Sequence, residues 1–321
     1  LQKQAELTGV VKVEFIGAVS KGLEGKELAE MGDMAEAGVV AFSDDGHYVE
    51  NAAFMRRALE YSSMFNKMVI DHAEDITLTK NGHMHEGIVS YELGVIGRPA
   101  VAEDLAVARD ILLSEMTGGH IHIAHVSSKN TVDMVRRAKA KGLNVTCEVT
   151  SQHLSFTDEY LREYNPAFKM APPIRSEDHR QALLEGLKDG TIDAIITDHA
   201  PHAYEEKDHE FCCAPNGFSG LETSLAAVIT NAYGPDKLSI DQVVYYMSTR
   251  PAELMHLDAG VLEVGKPADI TVFSTTEKWT VDRNKFYTKG KVSPFDGMTV
   301  TGKAKLTVVD GKIVMKEGVV L

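Results

Sequence analysis

Residues 192–210 read IDAIITDHAPHAYEEKDHE, and within this stretch an apolar run changes abruptly into a polar cluster. The run from Ile192 to Ile196 has the composition of a strand that is buried in a parallel sheet. It is followed by Asp198 and His202, whose side chains can transfer protons and bind metals. Proteins with parallel sheets place their functional groups at the carboxyl ends of the strands. The stretch therefore predicts an α/β fold with a functional site at the strand ends.

Five other runs along the chain resemble this one. They are rich in Val and Ile, are flanked by Gly or Asn, and cover residues 10–19, 37–46, 67–75, 119–128 and 143–154. The segments between them have helical patterns. In 101–116 the apolar residues fall on one helix face, and 130–142 ends in lysines and a glycine, as helices often do. Alternating strands and helices predict a parallel sheet with right-handed crossovers.

The number of units favours a barrel. Six strand–helix units of roughly 32 residues fit between residue 10 and residue 200, whereas a closed eight-stranded barrel takes about 250 residues. Only nine residues precede the first run. We therefore expect a (β/α)8-type barrel whose first two strand–helix units are not in this chain. The alternative is an open doubly wound sheet of six strands. The barrel is favoured because polar residues follow several strands instead of gathering at one switch point.

The pattern of apolar and polar residues changes after residue 255. Residues 259–274 and 305–320 are β-rich and lack long helical patterns. Between the last two apolar runs, Asp310-Gly311 is a strong signal for a hairpin turn. We expect a barrel over residues 1–255 and a small β-rich C-terminal segment over residues 256–321.

Composition excludes several classes of protein. Hydrophobic residues make up 44% of the chain and charged residues 25%, as in ordinary globular proteins. The formal net charge of −14 opposes binding to nucleic acid. No apolar run approaches membrane-spanning length, and no signal-peptide pattern is present. Three cysteines are too few for a disulfide framework. We expect a cytoplasmic protein with no nucleic-acid or membrane partner.

Ionisable residues follow several of the predicted strands. Four of them would meet at one mouth of a parallel barrel: Asp45, His72, His125 and Asp198. Imidazole nitrogens and carboxylate oxygens together suit zinc or a comparable borderline ion. The neighbouring acids Asp44 and Asp71 are more simply interpreted as helix caps. We interpret His120 and His122 as packing or supporting residues, and residues 205–208 as a solvated loop.

Six motifs, in their order and spacing, resemble those of the dihydroorotases of the amidohydrolase superfamily. They are AFSDDG (41–46), DHAED (71–75), HIAHVSS (122–128), KMAPPIR (169–175), TDHAPH (197–202) and GFSGLET (217–223). The match is to the bacterial form that has an aspartate in place of a carboxylated lysine. The resemblance implies a zinc centre of one or two ions. It also implies the reversible cyclisation of N-carbamoyl-L-aspartate to L-dihydroorotate, a step of pyrimidine biosynthesis, by a metal-activated hydroxide.

The resemblance also implies roles for individual residues. Asp45 resembles the carboxylate that bridges two metals, and His72 and His125 resemble ligands of one of them. Asp198 resembles the acid that contacts the other metal and shuttles the proton. On the substrate side, the resemblance implies contacts from His202 and from the loop 215–220, which includes Pro215 and Gly217. We expect the longer loop 202–220 to lie over the barrel mouth and to be mobile.

Two features depart from the family pattern. The His-x-His motif followed by Arg is absent, so the ligands of the second metal and an arginine for a substrate carboxylate would come from strands outside this chain. The chain alone is then expected to lack a full ligand set. The second feature is Ala171, which stands where many relatives have a substrate-binding asparagine.

Three functions stay open at this point. The first is dihydroorotase, a small-molecule enzyme expected to form a homo-oligomer and to associate with aspartate transcarbamoylase. The second is a related cyclic amidase, such as a dihydropyrimidinase, hydantoinase or allantoinase. The third is a metal-poor, non-catalytic homologue that scaffolds a partner such as aspartate transcarbamoylase.

Overall fold

A six-stranded parallel sheet forms the centre of the molecule. The computed structural model describes all residues from 1 to 321. The strands of this sheet are β1 (Ile16–Gly17), β2 (Ala41–Ser43), β3 (Val69–Asp71), β6 (Ile121–Ile123), β7 (Val145–Thr150) and β8 (Ala194–Ile196). A separate pair, β4 (Met84–His85) and β5 (Gly97–Arg98), is also parallel and was not predicted from the sequence.

The order of the strands distinguishes the two predicted folds. The large sheet runs β1-β2-β3-β6-β7-β8, so spatial order follows chain order, and every neighbouring pair is parallel. A doubly wound sheet would reverse its order at a switch point. The sheet is therefore a curled half-barrel, as the barrel interpretation requires, and the doubly wound alternative is wrong. All six predicted strands are present, although each is shorter than its apolar run.

Thirteen helices lie along the chain, and several of them pack against strands of the sheet. They are α1 (Gln2–Thr8), α2 (Met31–Glu36), α3 (Ala52–Ser63), α4 (Ile76–Thr79), α5 (Ile88–Leu93), α6 (Val101–Thr117), α7 (Lys129–Ala140), α8 (Ser151–Ser155), α9 (Glu177–Lys188), α10 (Tyr204–Lys207), α11 (Ser224–Asn231), α12 (Ile240–Val244) and α13 (Arg250–Leu254). The two helices predicted from periodicity, α6 and α7, begin and end within two residues of the expected bounds. No helix is both long enough and apolar enough to cross a membrane.

The main core lies between the sheet and its helices. A cluster of 34 buried apolar residues includes Phe42 from β2, Ile121 and Ile123 from β6, and Leu59 from α3. Burying one such side chain stabilises a fold by about 1.5–3 kcal/mol. Side chains on both faces of these short strands are buried, so packing holds the sheet rigidly. The residues directly after each strand are therefore held in fixed positions.

The C-terminal segment is an antiparallel sheet. Its strands are β9 (Ile270–Thr280), β10 (Thr299–Val309), β11 (Lys312–Lys316) and β12 (Val319–Val320), in the order β12-β11-β10-β9. Asp310 and Gly311 join β10 to β11 with φ of 47° and 76°, as a two-residue type I′ hairpin requires. The predicted hairpin turn is therefore confirmed. Phe295 and Val300 pack in one cluster with Phe156 and Phe168, so the segment shares a core with the half-barrel.

Two histidines outside the strand-end cluster make the free energy of unfolding depend on pH. Burial lowers the pKa of His85 to about 3 and that of His120 to about 4, well below the ordinary value of 6.5. Between about pH 6.5 and pH 4 the unfolded chain binds protons at these sites and the folded chain does not, so stability falls as pH falls. Each group contributes a slope approaching about 1.4 kcal/mol per pH unit. Urea unfolding at stepped pH tests this, and His120→Gln should reduce the slope; an unchanged slope would contradict the assignment.

Candidate metal and substrate site

Three predicted ligands converge beyond the ends of three different strands. Asp45 follows β2, His72 follows β3 and His125 follows β6. Oδ1 of Asp45 lies 3.7 Å from Nδ1 of His72 and 3.7 Å from Nε2 of His125. The two imidazole rings are 4.5 Å apart at an angle of 79°. One ligand atom from each of the three residues lies within 4.8 Å of the others.

The spacing of these atoms fits a shared cation. At 3.7 Å the contacts are too long for hydrogen bonds, so the three groups do not satisfy one another. Nitrogen and oxygen ligands lie about 2.0–2.2 Å from zinc, which places two ligands of one tetrahedral ion about 3.3–3.6 Å apart. The donor set and its spacing therefore fit a divalent metal of the zinc type.

The electrostatics of the cluster are consistent with a cation position. The two imidazoles lower the pKa of the Asp45 carboxyl. Burial opposes protonation of His125, which is 5% exposed, but the carboxylates of Asp45 and Asp198 outweigh burial and raise its pKa to about 9. The carboxylates thus create a negative potential between the two imidazole rings. A positive charge, either a proton or a metal ion, is stabilised there.

Asp198 faces the same space without being one of the three converging residues. It follows β8 and lines a cavity of about 860 Å³ together with Asp45 and His72. Burial raises the pKa of the Asp198 carboxyl. Its φ is 42°, and that of His125 is 32°, both in the left-handed region that non-glycine residues rarely adopt. Strained backbone of this kind is concentrated at functional sites.

A buried polar network supports the backbone after His125. The carboxylate of Glu103 accepts hydrogen bonds from the amides of Ser127 and Ser128, at 3.0 and 2.9 Å. Arg175 donates to the Ser127 hydroxyl at 2.8 Å and lies 3.5 Å from Glu103. The sequence gives no local signal for this network, because Glu103 is an ordinary acid in the first turn of α6 and Arg175 lies 72 residues further along the chain.

The two acids interpreted as helix caps have other roles. Asp44 accepts hydrogen bonds from the amides of Val19 and Ser20, both at 2.9 Å, and from the Ser20 hydroxyl. It therefore joins the residues after β1 to the end of β2. Asp71 is buried beside Arg109, at 3.2 Å. The capping interpretation is wrong for both, because their partners are distant in sequence.

His120 and His122 lie on β6 or next to it and away from the converging residues. Nδ1 of His122 and Nε2 of His120 both lie 2.7 Å from the Thr146 hydroxyl. Nε2 of His122 is 3.1 Å from a Glu148 carboxylate oxygen. These contacts run between β6 and β7, as expected for packing residues.

Part of the loop 202–220 lies at the cavity. Asn216 and Gly217 line it, whereas His202 and Pro215 do not. His202 instead donates its Nε2–H to the Asn216 carbonyl at 2.8 Å. Gly217 has φ of 105°, and a Cβ there would lie 2.8 Å from the Ala200 carbonyl oxygen, so only glycine fits without displacement. The loop is on the Asp198 side, as predicted.

Two buried lysines hold this loop in place. The Lys169 ammonium donates to the carbonyls of Phe211 and Ala214, at 2.8 and 2.7 Å. The Lys207 ammonium donates to the Pro215 carbonyl at 2.9 Å. Burial lowers the pKa of Lys207 to about 8. Residues 205–208 were interpreted as a solvated loop, and this is wrong for Lys207, which is 3% exposed. Its burial was not predictable because its sequence neighbours are charged.

Replacing Lys207 by methionine should loosen the loop. The Pro215 carbonyl would lose its donor, and an unsatisfied buried carbonyl costs about 1–3 kcal/mol. We expect faster amide hydrogen exchange across residues 208–217 and a lower unfolding temperature. The matched control is Lys237→Met, which changes an exposed lysine and should alter stability by less than about 0.5 kcal/mol. Unchanged exchange in the loop of Lys207→Met would show that the lysine does not hold it.

The comparisons with known proteins agree with this geometry. Residues 13–314 match the model of the amidohydrolase family. The chain therefore belongs to the amidohydrolase family. It is 47% identical over 315 residues to a dihydroorotase of Syntrophus aciditrophicus, which covers 98% of this chain and 74% of the relative. It is also 47% identical to a dihydroorotase of Acetivibrio thermocellus, over 99% of this chain and 75% of the relative. Within the family, the chain is thus placed among the dihydroorotases.

Solved structures support the fold. An L-hydantoinase (dihydropyrimidinase) from Arthrobacter aurescens superposes with a TM-score of 0.84 at 30% identity, over 96% of this chain and 71% of that structure. The half-barrel with its C-terminal sheet is therefore an amidohydrolase fold. Family membership also implies a metal cofactor, for which Asp45, His72 and His125 form the fitting group.

Proposed function

We propose that the protein to which this chain belongs is a dihydroorotase, which reversibly interconverts L-dihydroorotate and N-carbamoyl-L-aspartate. The observation that carries the proposal is the meeting of Asp45, His72 and His125 beside a cavity that Asp198 also lines. Curated dihydroorotases at 43–48% identity over nearly the whole chain support the same reaction. The protein is accordingly a hydrolase of cyclic amides with a small-molecule substrate.

Four residues would hold the metal. Asp45, His72 and His125 surround one position, and Asp198 faces it from β8. We infer zinc as the metal, with one or two ions in the complete site, because the donors are imidazole and carboxylate. Zinc in such a site acts as a Lewis acid and lowers the pKa of a coordinated water towards 7.

Asp198 would carry the proton in this reaction. In the hydrolytic direction a water oxygen forms a bond to the ring carbonyl carbon while the water gives its proton to the Asp198 carboxylate. The ring C–N bond then breaks, and Asp198 returns the proton to the departing nitrogen. The position of Asp198 at the end of a rigid strand supports this role, because a proton carrier must be held within hydrogen-bond reach of both atoms.

The loop 202–220 would form the substrate side of the site. Gly217 lines the cavity with its backbone, and the carbonyl of Pro215 is fixed by Lys207. We propose that Pro215, Gly217 and His202 contact the substrate ring or hold the groups that do. His202 supports the loop in the free protein through Asn216, and its Nδ1 faces Glu206 at 3.3 Å.

Further proposals concern organisation and partners. The change from half-barrel to antiparallel sheet supports a division at residue 255, into a barrel part (1–255) and a β-rich part (256–321). Homo-oligomerisation, association with aspartate transcarbamoylase and a cytoplasmic location are proposed from the family resemblance and the composition of the chain.

The test is a steady-state assay of the full-length, metal-loaded protein in both directions. We expect turnover of dihydroorotate and carbamoyl-aspartate, and kcat/KM values at least tenfold lower for hydantoin, dihydrouracil and allantoin. A preference for one of these neutral rings would establish the related cyclic amidase instead. Absence of both turnover and metal, with aspartate transcarbamoylase bound, would establish the scaffolding homologue.

A further inference from the structure

The outward face of α6 is apolar. Val101, Leu105, Leu112 and Met116 have exposed fractions between 46% and 64%. Their spacing of four, seven and four residues puts them on one face of the helix, together with the partly buried Ala108. These five residues form an apolar strip. A helix of a globular protein normally turns such a face towards the core, so its exposure here requires an explanation.

Polar side chains on the inward face of α6 fix this orientation. Glu103 belongs to the buried network that holds the backbone at the end of β6. Asp104 accepts hydrogen bonds from the Asn130 side chain at 2.8 Å and from the Thr131 hydroxyl at 3.2 Å. Asp110 is also fully buried. Turning the apolar strip inward would break these contacts, so the fold itself directs the strip towards solvent.

The helices beside α6 have ordinary polar surfaces. Both α3 and α7 pack against α6. The exposed residues of α3 include Arg56, Arg57 and Glu60. Those of α7 include Lys129 and Arg137. An apolar centre with a charged rim is the usual anatomy of a protein–protein interface. The strand that α6 contacts, β6, is central in the sheet, so this surface is remote from the edge strands β1 and β8.

The apolar strip is complementary to itself. Its positions are symmetric about the middle of α6, between residues 108 and 109. In an antiparallel pair of α6 helices, Val101 of one copy would lie opposite Met116 of the other, and Leu105 opposite Leu112. Ala108 would lie at the axis, where its small side chain allows close approach of the two helices. A two-fold interface requires a surface patch that matches itself in this way.

The charges at the two ends of α6 favour the same arrangement. Glu115 is the only exposed charged residue of the helix and lies in its last turn. Antiparallel packing brings it to the first turn of the other α6, whose partial positive charge stabilises a carboxylate. Glu103 and Asp104 of that turn point inward, and Lys129 begins α7 beside it. Parallel packing would instead bring two Glu115 carboxylates together.

We propose that the apolar strip of α6 is the centre of a two-fold symmetric homodimer, in which the α6 helices of two copies pack antiparallel. The inference assigns a surface to the proposed homo-oligomer and does not depend on the reaction. Helices α3 and α7 supply the rim. Three helices about 8–10 Å apart and up to about 25 Å long cover roughly 700 Å², close to the area of about 800 Å² per partner in stable interfaces.

Sedimentation equilibrium of the full-length protein tests the surface. The unaltered protein should be a dimer at micromolar concentration. Leu112→Glu places a carboxylate opposite Leu105 twice per dimer, and should raise the dimer dissociation constant at least about 100-fold. The matched control is Tyr91→Glu on α5, which changes another exposed apolar residue and should keep the constant within about twofold. Circular dichroism and the unfolding temperature establish that each variant is folded.

Cysteine cross-linking tests the symmetry without a disruptive substitution. In protein carrying Cys212→Ser and Cys213→Ser, which removes the exposed thiols, Ala108→Cys should form a covalent dimer with glutathione disulfide as the oxidant. The axis brings the two copies of this residue within about 7 Å, as a disulfide requires. Val101→Cys should not cross-link alone, because its counterpart would be about 22 Å away. Together with Met116→Cys it should.

Several results would overturn the inference. They are a monomeric unaltered protein, a dimer that folded Leu112→Glu leaves intact, and cross-linking of Val101→Cys alone in place of Ala108→Cys. A monomer that binds aspartate transcarbamoylase through α6, and loses that binding in Leu112→Glu, would also overturn it, because the strip would then serve a different protein.

Discussion

Asp198→Asn should abolish most turnover while leaving metal bound. The amide has the size and shape of the carboxylate but cannot accept a proton, and general acid–base groups contribute about 10²–10⁴-fold to rate. We expect a loss of that size in both directions of the reaction. The measurement is steady-state hydrolysis of dihydroorotate and cyclisation of carbamoyl-aspartate, with metal content determined on the same preparations.

The matched control makes the same chemical change outside the site. Asp241 is an exposed acid in the first turn of α12, does not line the cavity and has no ion pair. Asp241→Asn should keep turnover within about twofold. Near-normal turnover of Asp198→Asn would refute its role as proton carrier even with the family assignment intact.

Asp45→Asn should remove the metal itself. The carboxylate faces both imidazoles, and its negative charge balances the cation that they would hold. Changes even in residues that only support metal ligands cost about 10–100-fold in affinity, so loss of a ligand should cost at least about 10²-fold. Equilibrium dialysis against zinc, followed by elemental analysis, measures this directly. Turnover should fall in proportion to the metal lost and return in part at high zinc concentration.

The adjacent acid provides the contrast. Asp44→Asn disturbs the hydrogen bonds to Val19 and Ser20 but none of the metal ligands. We expect it to lower the free energy of unfolding by about 1–3 kcal/mol and to retain the metal. Equal metal loss in the two variants would contradict the assignment of Asp45 as a metal ligand.

The sequence was sufficient to predict the strands and the residues that follow them. Each apolar run is short and bounded by turn residues, and burial in a parallel sheet leaves such a run few alternative conformations. Once the strands are parallel, the positions of Asp45, His72, His125 and Asp198 at one edge follow from topology alone. The hairpin at Asp310-Gly311 was predictable for a similar reason, because the required backbone conformation is local.

Residues whose roles depend on distant partners were not predictable. Lys207 is buried because the carbonyl of Pro215 and the backbone of Lys169 lie next to it, and nothing in its charged neighbourhood indicates this. Arg98 ends β5 and donates a hydrogen bond to Glu74, which follows β3 and lies 24 residues earlier in the chain. The short strands β4 and β5 have two residues each, which is too few to produce a periodic pattern.

The left-handed backbone at His125 and Asp198 has a consequence for engineering. Selection for heat resistance favours residues that relieve backbone strain. Glycine or asparagine would adopt the positive φ at these two positions at a lower conformational energy than the residues now there. A library screened only for melting temperature would therefore select variants that are more stable but have lost the metal-binding or proton-carrying side chain. These two positions should be held fixed in such a screen, and improvement sought at sites remote from the mouth of the half-barrel.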